Sequence, residues 1–189
     1  MDEKKNLRTV FLKKRNELSF EEVEKKSDRI YRKFINSNDY FHCKELFTYV
    51  SMKKEVSTVK IIKKALEDGK TVAVPKVDAI KREMFFSMIY SLDELETGHF
   101  GVLEPKKECV RPVEASQYTL ILVPGVVFDL NKNRIGYGGG YYDSYLRKYK
   151  DKVMKTIGLA YNFQLIDRIP AQKHDIPLDL IVTDKDWLY

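Results

Sequence analysis

Leu120-Ile121-Leu122-Val123-Pro124 decides the fold. A short, unbroken apolar run closed by proline reads as a strand buried on both faces, the kind found inside a parallel sheet. Around it, strand and helix patterns alternate. Upstream, residues 45–50 form a β-rich run, a helix begins at Ser57 and runs through Leu66, and Gly69 closes it. Residues 71–75 are the next strand, and residues 84–89 form another at an edge or in a hairpin. The segment 98–112 reads as loop, punctuated by Gly98, Gly101, Pro105 and Pro112. Downstream come a helix from about Gly140 to Tyr149, a strand at 155–160 and a last strand at 180–183. The expected architecture is α/β: an open, mostly parallel sheet flanked by helices on both faces, in three layers. With no internal repeat and no Gly/Ser/Pro-rich linker, residues 1–189 read as a single domain.

Immediately after that strand the chain reads Gly125-Val126-Val127-Phe128-Asp129, then Arg134-Ile135-Gly136-Tyr137-Gly138-Gly139-Gly140-Tyr141-Tyr142-Asp143. Four glycines within residues 136–140 carry a large entropic cost on folding. At a turn from a buried strand into a helix N-terminus, such a loop can bring main-chain N–H groups close to an anion. Ligands of open parallel sheets bind at that end of the strands. Two readings stand at this point, a phosphate cradle and a tight structural turn. The spacing is not the dinucleotide fingerprint, because Tyr141 stands where its third glycine belongs, and no Lys-Ser/Thr follows as in a Walker A loop. Arg134 is a possible phosphate clamp and Asp143 a possible Mg²⁺ ligand; either could be a surface charge.

Further out, residues 3–17 read as a helix with Leu7, Val10, Phe11 and Leu12 as its apolar stripe among many cations. Ser19 caps a second helix, with Val23, Ile30, Tyr31 and Phe34 facing inward and residues 36–39 ending it. The net charge of +6 permits a polyanionic partner, but 34 basic residues are interleaved with 28 acidic ones and form no concentrated patch. Nucleic acid is therefore not the expected partner. No apolar run approaches the roughly 20 residues of a membrane helix, and Met1-Asp2-Glu3-Lys4-Lys5 leads into no signal-peptide core. Cys43 and Cys109 stand far apart in no metal-ligand spacing. A cytoplasmic protein with two reduced thiols and no membrane contact is expected.

The Gly-rich segment, together with Pro124-Gly125-Val126-Val127-Phe128-Asp129, resembles the signature of the 5-formyltetrahydrofolate cyclo-ligase family. Three other segments resemble family stretches in order and spacing: Lys4-Lys5-Asn6-Leu7-Arg8, Glu55 with Thr58, and Gly98-His99-Phe100-Gly101-Val102-Leu103-Glu104-Pro105. The resemblance implies conversion of 5-formyltetrahydrofolate to 5,10-methenyltetrahydrofolate with ATP and Mg²⁺, by a monomer acting on small molecules. By that resemblance Lys4, Lys5, Arg8, Lys76 and residues 134–142 contact ATP. Val50, Glu55, Tyr137, Gly138, Gly139, Gly140 and Tyr141 contact the folate. Arg134 and Tyr141 are the catalytic candidates. Asp143 is implied as a Mg²⁺ ligand and Asp175 as the second, with Asp179 in competition. Some members carry Lys or Arg inside the loop where this chain has Tyr137 and Gly139, so phosphate binding should lean on backbone N–H groups, Arg8, Lys76 and Arg134. His99 and His174 are isolated and are given no role as bases. The rivals are a phosphosugar-isomerase or CoA-transferase-like enzyme, which would need no ATP, and a non-catalytic module binding nucleotide or RNA.

Overall fold

The computed structural model describes residues 3–78, 80–98, 101–170, 172 and 174–189. His99 and Phe100, named above, lie outside them. In chain order the elements begin with α1 (Glu3–Glu17), α2 (Phe20–Ile35), α3 (Asn38–His42), β1 (Glu45–Thr48), α4 (Val59–Glu67), β2 (Thr71–Asp78) and β3 (Glu83–Ile89). Then come β4 (Leu95–Thr97), β5 (Leu103–Pro105), β6 (Pro112–Val113), β7 (Thr119–Val123), β8 (Val127–Asp129) and β9 (Arg134–Ile135). The chain ends with α5 (Tyr141–Tyr149), β10 (Lys155–Ala160), β11 (Leu165–Ile166), β12 (Leu180–Thr183) and β13 (Trp187–Leu188).

An eight-stranded sheet runs in the order β13-β12-β10-β7-β1-β2-β3-β6. Its interior pairs are parallel, β2 with β1, β1 with β7, β7 with β10 and β10 with β12, while β3, β6 and β13 pair antiparallel at the two margins. Side-chain alternation divides the core as the pleat demands. Leu46, Val72, Leu120, Leu122, Leu180 and Val182 pack toward Ile30, Phe34, Ile61 and Ile62 of α2 and α4. Phe47, Ala73, Ile121, Val123 and Ile181 point the other way, toward Tyr145, Leu146 and Tyr149 of α5. Helices thus cover both faces. The run Leu120–Val123 is wholly buried at the centre, as a doubly covered strand must be.

Several boundaries depart from expectation for identifiable reasons. The helix expected from Ser57 starts at Val59, because the Thr58 hydroxyl is spent on the Tyr49 carbonyl (2.8 Å) and the Ser51 N–H (3.1 Å) instead of capping. Residues 36–39 do not simply end α2, since Ser37 caps the short helix α3 through the Tyr40 N–H. The 98–112 stretch is not all loop: β5 pairs with β4, and β6 extends the main sheet. Val10, expected on the inner stripe of α1, is 41% exposed. Phe11 alone of α1's apolar residues is buried, against Val127 and Ile135 of the small sheet β11-β8-β9 and Val126 and Ile169 beside it. That seat holds α1 beside the ends of the parallel strands. Within that small sheet, buried Asp129 ties the β8–β9 turn together by accepting from the N–H groups of Asn131 (3.0 Å), Asn133 (2.8 Å) and Ile169 (2.9 Å).

Near the chain's end, Asp184 fastens α2 to the main sheet. Its side chain is 1% exposed, accepts from Lys26 Nζ at 2.9 Å and from the Asn162 N–H at 2.6 Å. Burial pushes this carboxyl's pKa up, but the Lys26 and Asn162 bonds outweigh it and hold it below the usual value. A depressed pKa gives stability that is present above the unfolded value, about 3.9, and lost as pH falls through the folded one. Asp184→Asn is therefore expected to cost about 2 kcal/mol near neutrality. Urea denaturation should show the gap to the parent closing below about pH 4.

Candidate active site

A cavity of about 700 Å³ opens where the parallel strands end, within the range of small-molecule sites. Tyr49 and Val50 enter it just after β1, Pro75 and Val77 from the end of β2, and Pro124 just after β7. This is the carboxyl edge at which open α/β sheets bind ligands. One wall is the loop 134–140 and the start of α5. Gly138 and Gly140 sit at φ +105° and +70°, a region that residues with a Cβ rarely adopt. Gly140 caps α5 with no side chain, so no capping group takes up the first-turn N–H groups that a helix start presents.

Cations line this wall from two directions. Lys4 and Arg8, one turn apart on α1, both reach the cavity. Lys4 pairs with Asp175, and Arg8 Nε donates to the Gly136 carbonyl at 2.7 Å. Arg134, from β9, is 4% exposed and donates through Nη2 to Asp143 Oδ1 at 3.0 Å; its buried Nε has no hydrogen-bond partner among the described residues. Such an orphaned donor at a cavity wall is what an incoming anion can satisfy.

The opposite end is acidic and aromatic. Glu55 is 7% exposed, with Oε2 accepting from the Met52 N–H at 2.8 Å and Oε1 from the Tyr137 hydroxyl. Burial raises its pKa, opposed by the bonds from Tyr137 and Met52 and by the charge of Arg15. Tyr142 also lines the cavity, and its buried hydroxyl lacks a partner among the described residues.

The structure gathers Lys4, Arg8, Val50, Glu55, residues 134–143 and Asp175 at one cavity. It does not bring Lys5 or Lys76 to it. Lys5 is exposed on the outer side of α1. Lys76 falls between Pro75 and Val77 on the alternate face of β2, donating to the Pro105 carbonyl at 2.8 Å with Glu104 3.6 Å away. Of Asp175 and Asp179, only Asp175 lines the cavity. Asp179 Oδ2 accepts from the Thr156 N–H and hydroxyl, each at 2.7 Å, pinning the approach to β12 onto β10. Asp175 faces the cavity; burial raises its pKa, yet the Gln172 N–H and Lys4 outweigh this and lower it overall. No group of three or more His, Cys, Asp or Glu able to hold a metal occurs among the described residues. Two hard carboxylates without a third protein ligand suit Mg²⁺, which keeps waters and takes phosphate oxygens. Arg15, Gln172, His174 and Arg147 received no role from the sequence. The last three line the cavity, and Arg15 stands behind Tyr137, donating to its hydroxyl at 2.6 Å. The signal for Arg15 was its spacing, since Lys4, Arg8 and Arg15 share one face of a helix.

The chain is similar to known proteins over most of its length. The family model described as the 5-formyltetrahydrofolate cyclo-ligase family matches residues 1–184. A probable 5-formyltetrahydrofolate cyclo-ligase of Caenorhabditis elegans is 32% identical over 180 residues, covering 90% of this chain and 87% of that protein. The 5-formyltetrahydrofolate cyclo-ligase of Mus musculus is 30% identical over 187 residues, covering 95% and 92%. The solved structure of Aquifex aeolicus 5,10-methenyltetrahydrofolate synthetase superposes with a TM-score of 0.85 at 33% identity, covering 97% of this chain and 91% of that one.

Proposed function

This chain is an enzyme of the 5-formyltetrahydrofolate cyclo-ligase family, and from that premise we propose that it converts 5-formyltetrahydrofolate to 5,10-methenyltetrahydrofolate using Mg-ATP. The observation supporting this most directly is the division of one cavity into a cationic, glycine-built wall and a buried carboxylate end. The first suits a triphosphate and the second the polar edge of a pterin. The proposal extends to a cytoplasmic monomer that uses no nucleic acid; among the described residues no helix is long and apolar enough to cross a membrane.

The reaction has two steps. The formyl oxygen on N5 attacks the γ-phosphorus of ATP, and the bond to the bridging oxygen breaks to release ADP. N10 then adds to the formyl carbon, the carbon–oxygen bond breaks with its electron pair going to phosphate, and the N10 proton passes to that phosphate. Phosphoryl transfer asks mainly for positioning and for charge opposite the transferring group. Arg134, with its unpartnered Nε, supplies that charge, and Lys4 and Arg8 hold the remaining phosphates. Tyr141, which lines the same cavity, would face the folate. Asp143 and Asp175 would hold Mg²⁺, which when bound offsets charge on the phosphate oxygens. Lys4 and Arg134, now paired with those two carboxylates, turn to the phosphates in exchange.

ADP release should then depend on 5-formyltetrahydrofolate, with the methenyl product appearing in step by its near-ultraviolet absorbance. Glu55→Gln should slow folate-dependent turnover about 10- to 100-fold, for loss of a charge-assisted bond of roughly 1.5–3 kcal/mol, while ATP affinity changes less than about twofold. ADP release indifferent to the folate, or no methenyl product from the parent, would refute the proposal.

A further inference from the structure

Arg15 is a buried cation with no place in the reaction just described. It lies in the last turn of α1, is 2% exposed, and its Nε finds no hydrogen-bond partner among the described residues. Helix faces send cations to water unless something inside holds them, because an isolated buried charge is costly. Here Arg15 Nη2 donates to the Tyr137 hydroxyl at 2.6 Å, and the guanidinium lies 5.5 Å from that ring's centre. The Tyr137 hydroxyl in turn donates to Glu55 Oε1. Three side chains from α1, the Gly-rich loop and the turn after β1 thus form one directed chain that ends on a carboxylate in the cavity wall.

We infer that Arg15 and Tyr137 are positioning residues that hold Glu55 as an oriented anion toward the substrate. This rests on the folate reading of the site. Arg15 does not line the cavity and acts through Tyr137, whose hydroxyl accepts from Arg15 and gives its one proton to Glu55. The Met52 N–H fixes the other oxygen, so the carboxylate can turn neither way. Other groups facing Glu55 are the hydroxyls of Tyr49, Tyr142 and Tyr161, whose pKa values are all raised, first by burial and then in part by Glu55 itself. Neutral phenols cannot replace the cation. Burial already pushes the Glu55 pKa up with Arg15 in place, so losing that charge moves the carboxyl further toward the protonated acid, a donor where an acceptor is required.

The test is the pH profile of kcat/KM for 5-formyltetrahydrofolate, read as folate-dependent ADP release from about pH 5.5 to about pH 8.5. Removing an opposite charge near a carboxylate raises its pKa by about one unit or more. Arg15→Met is therefore expected to move the acid limb up by about one pH unit. The resulting loss is about tenfold on the acid side of the limb and shrinks toward the parent as pH rises past it. Arg15→Lys, which keeps the charge, should leave the limb where the parent has it. Tyr137→Phe, which keeps the ring, should shift it in the same direction as Arg15→Met and serves if that variant fails to fold. A loss of equal size at every pH, or an Arg15→Lys profile displaced like Arg15→Met, would overturn the inference and leave Arg15 as an anchor for α1. A parent that makes no methenyl product overturns the folate reading itself, before any variant is compared.

Discussion

Gly138→Val is expected to yield a folded protein that no longer binds ATP, with affinity reduced about 100-fold or more. Space is not the obstacle at this position. A Cβ there would lie 3.7 Å from Arg8 Cζ, an ordinary contact. Conformation is the obstacle, because Gly138 sits at φ +105°, where a β-branched residue meets its own backbone. Forcing it costs roughly 1–3 kcal/mol, and the loop can relieve that strain only by turning its N–H groups out of register. The loop lies outside both clusters that bury the main sheet, so the melting temperature should move by a few degrees at most. Gly138→Ala should fall between parent and Val, since it shares the φ penalty without the second branch. Calorimetric titration with the ATP analogue that carries a non-hydrolysable β–γ bridge checks this. Parent-like affinity in Gly138→Val would show the loop to be a turn and not a cradle.

That loop was legible in the sequence because glycine marks backbone conformation directly. The parallel core was legible for a similar reason, since an unbroken run such as Leu120–Val123 has no exposed face to spend polar residues on. Spacing puts Arg15 on one helix face with Lys4 and Arg8, but its burial was not legible. Amphipathic reasoning sends every cation of α1 outward, and only the tertiary placement of Tyr137 and Glu55 gives Arg15 a reason to turn in. Lys76 is the reverse case, a cation expected at the cavity that is not among its lining residues. A lysine on a strand beside a ligand edge looks like a phosphate contact, but here it alternates with the lining residues Pro75 and Val77 and donates to the Pro105 carbonyl, with Glu104 of the cavity wall 3.6 Å away. Asp175 and Asp179 could not be ranked by spacing, because both follow the same turn. What separates them is a partner 23 residues upstream, Thr156, which takes up the Asp179 carboxylate. The hairpin of β4 and β5 was hidden by its own punctuation, since strands this short lack a run of β-formers to detect.

Asp143→Asn is expected to lower turnover about 100-fold or more, the effect of losing roughly 3 kcal/mol of charge stabilisation in the transition state. The substitution keeps the size and one oxygen, so the bond from Arg134 Nη2, now 3.0 Å long, can survive as a neutral one. It removes the charge that draws a divalent cation. Two roles for Asp143 then separate in a magnesium titration. If Asp143 ligates Mg²⁺, raising the metal concentration restores part of the lost rate, because Asp175 and the phosphate oxygens still bind it weakly. If Asp143 serves only to orient Arg134, the loss is the same at every magnesium concentration. The parallel variant Asp175→Asn sharpens the contrast, since that carboxylate pairs with Lys4 rather than Arg134. Matching magnesium dependence in the two variants is what a shared cation site requires, and no arrangement in which each aspartate merely holds its own cation produces it. Unchanged kinetics for Asp143→Asn across the titration would make this residue a brace between α5 and the Ile176 N–H, which it accepts at 3.4 Å.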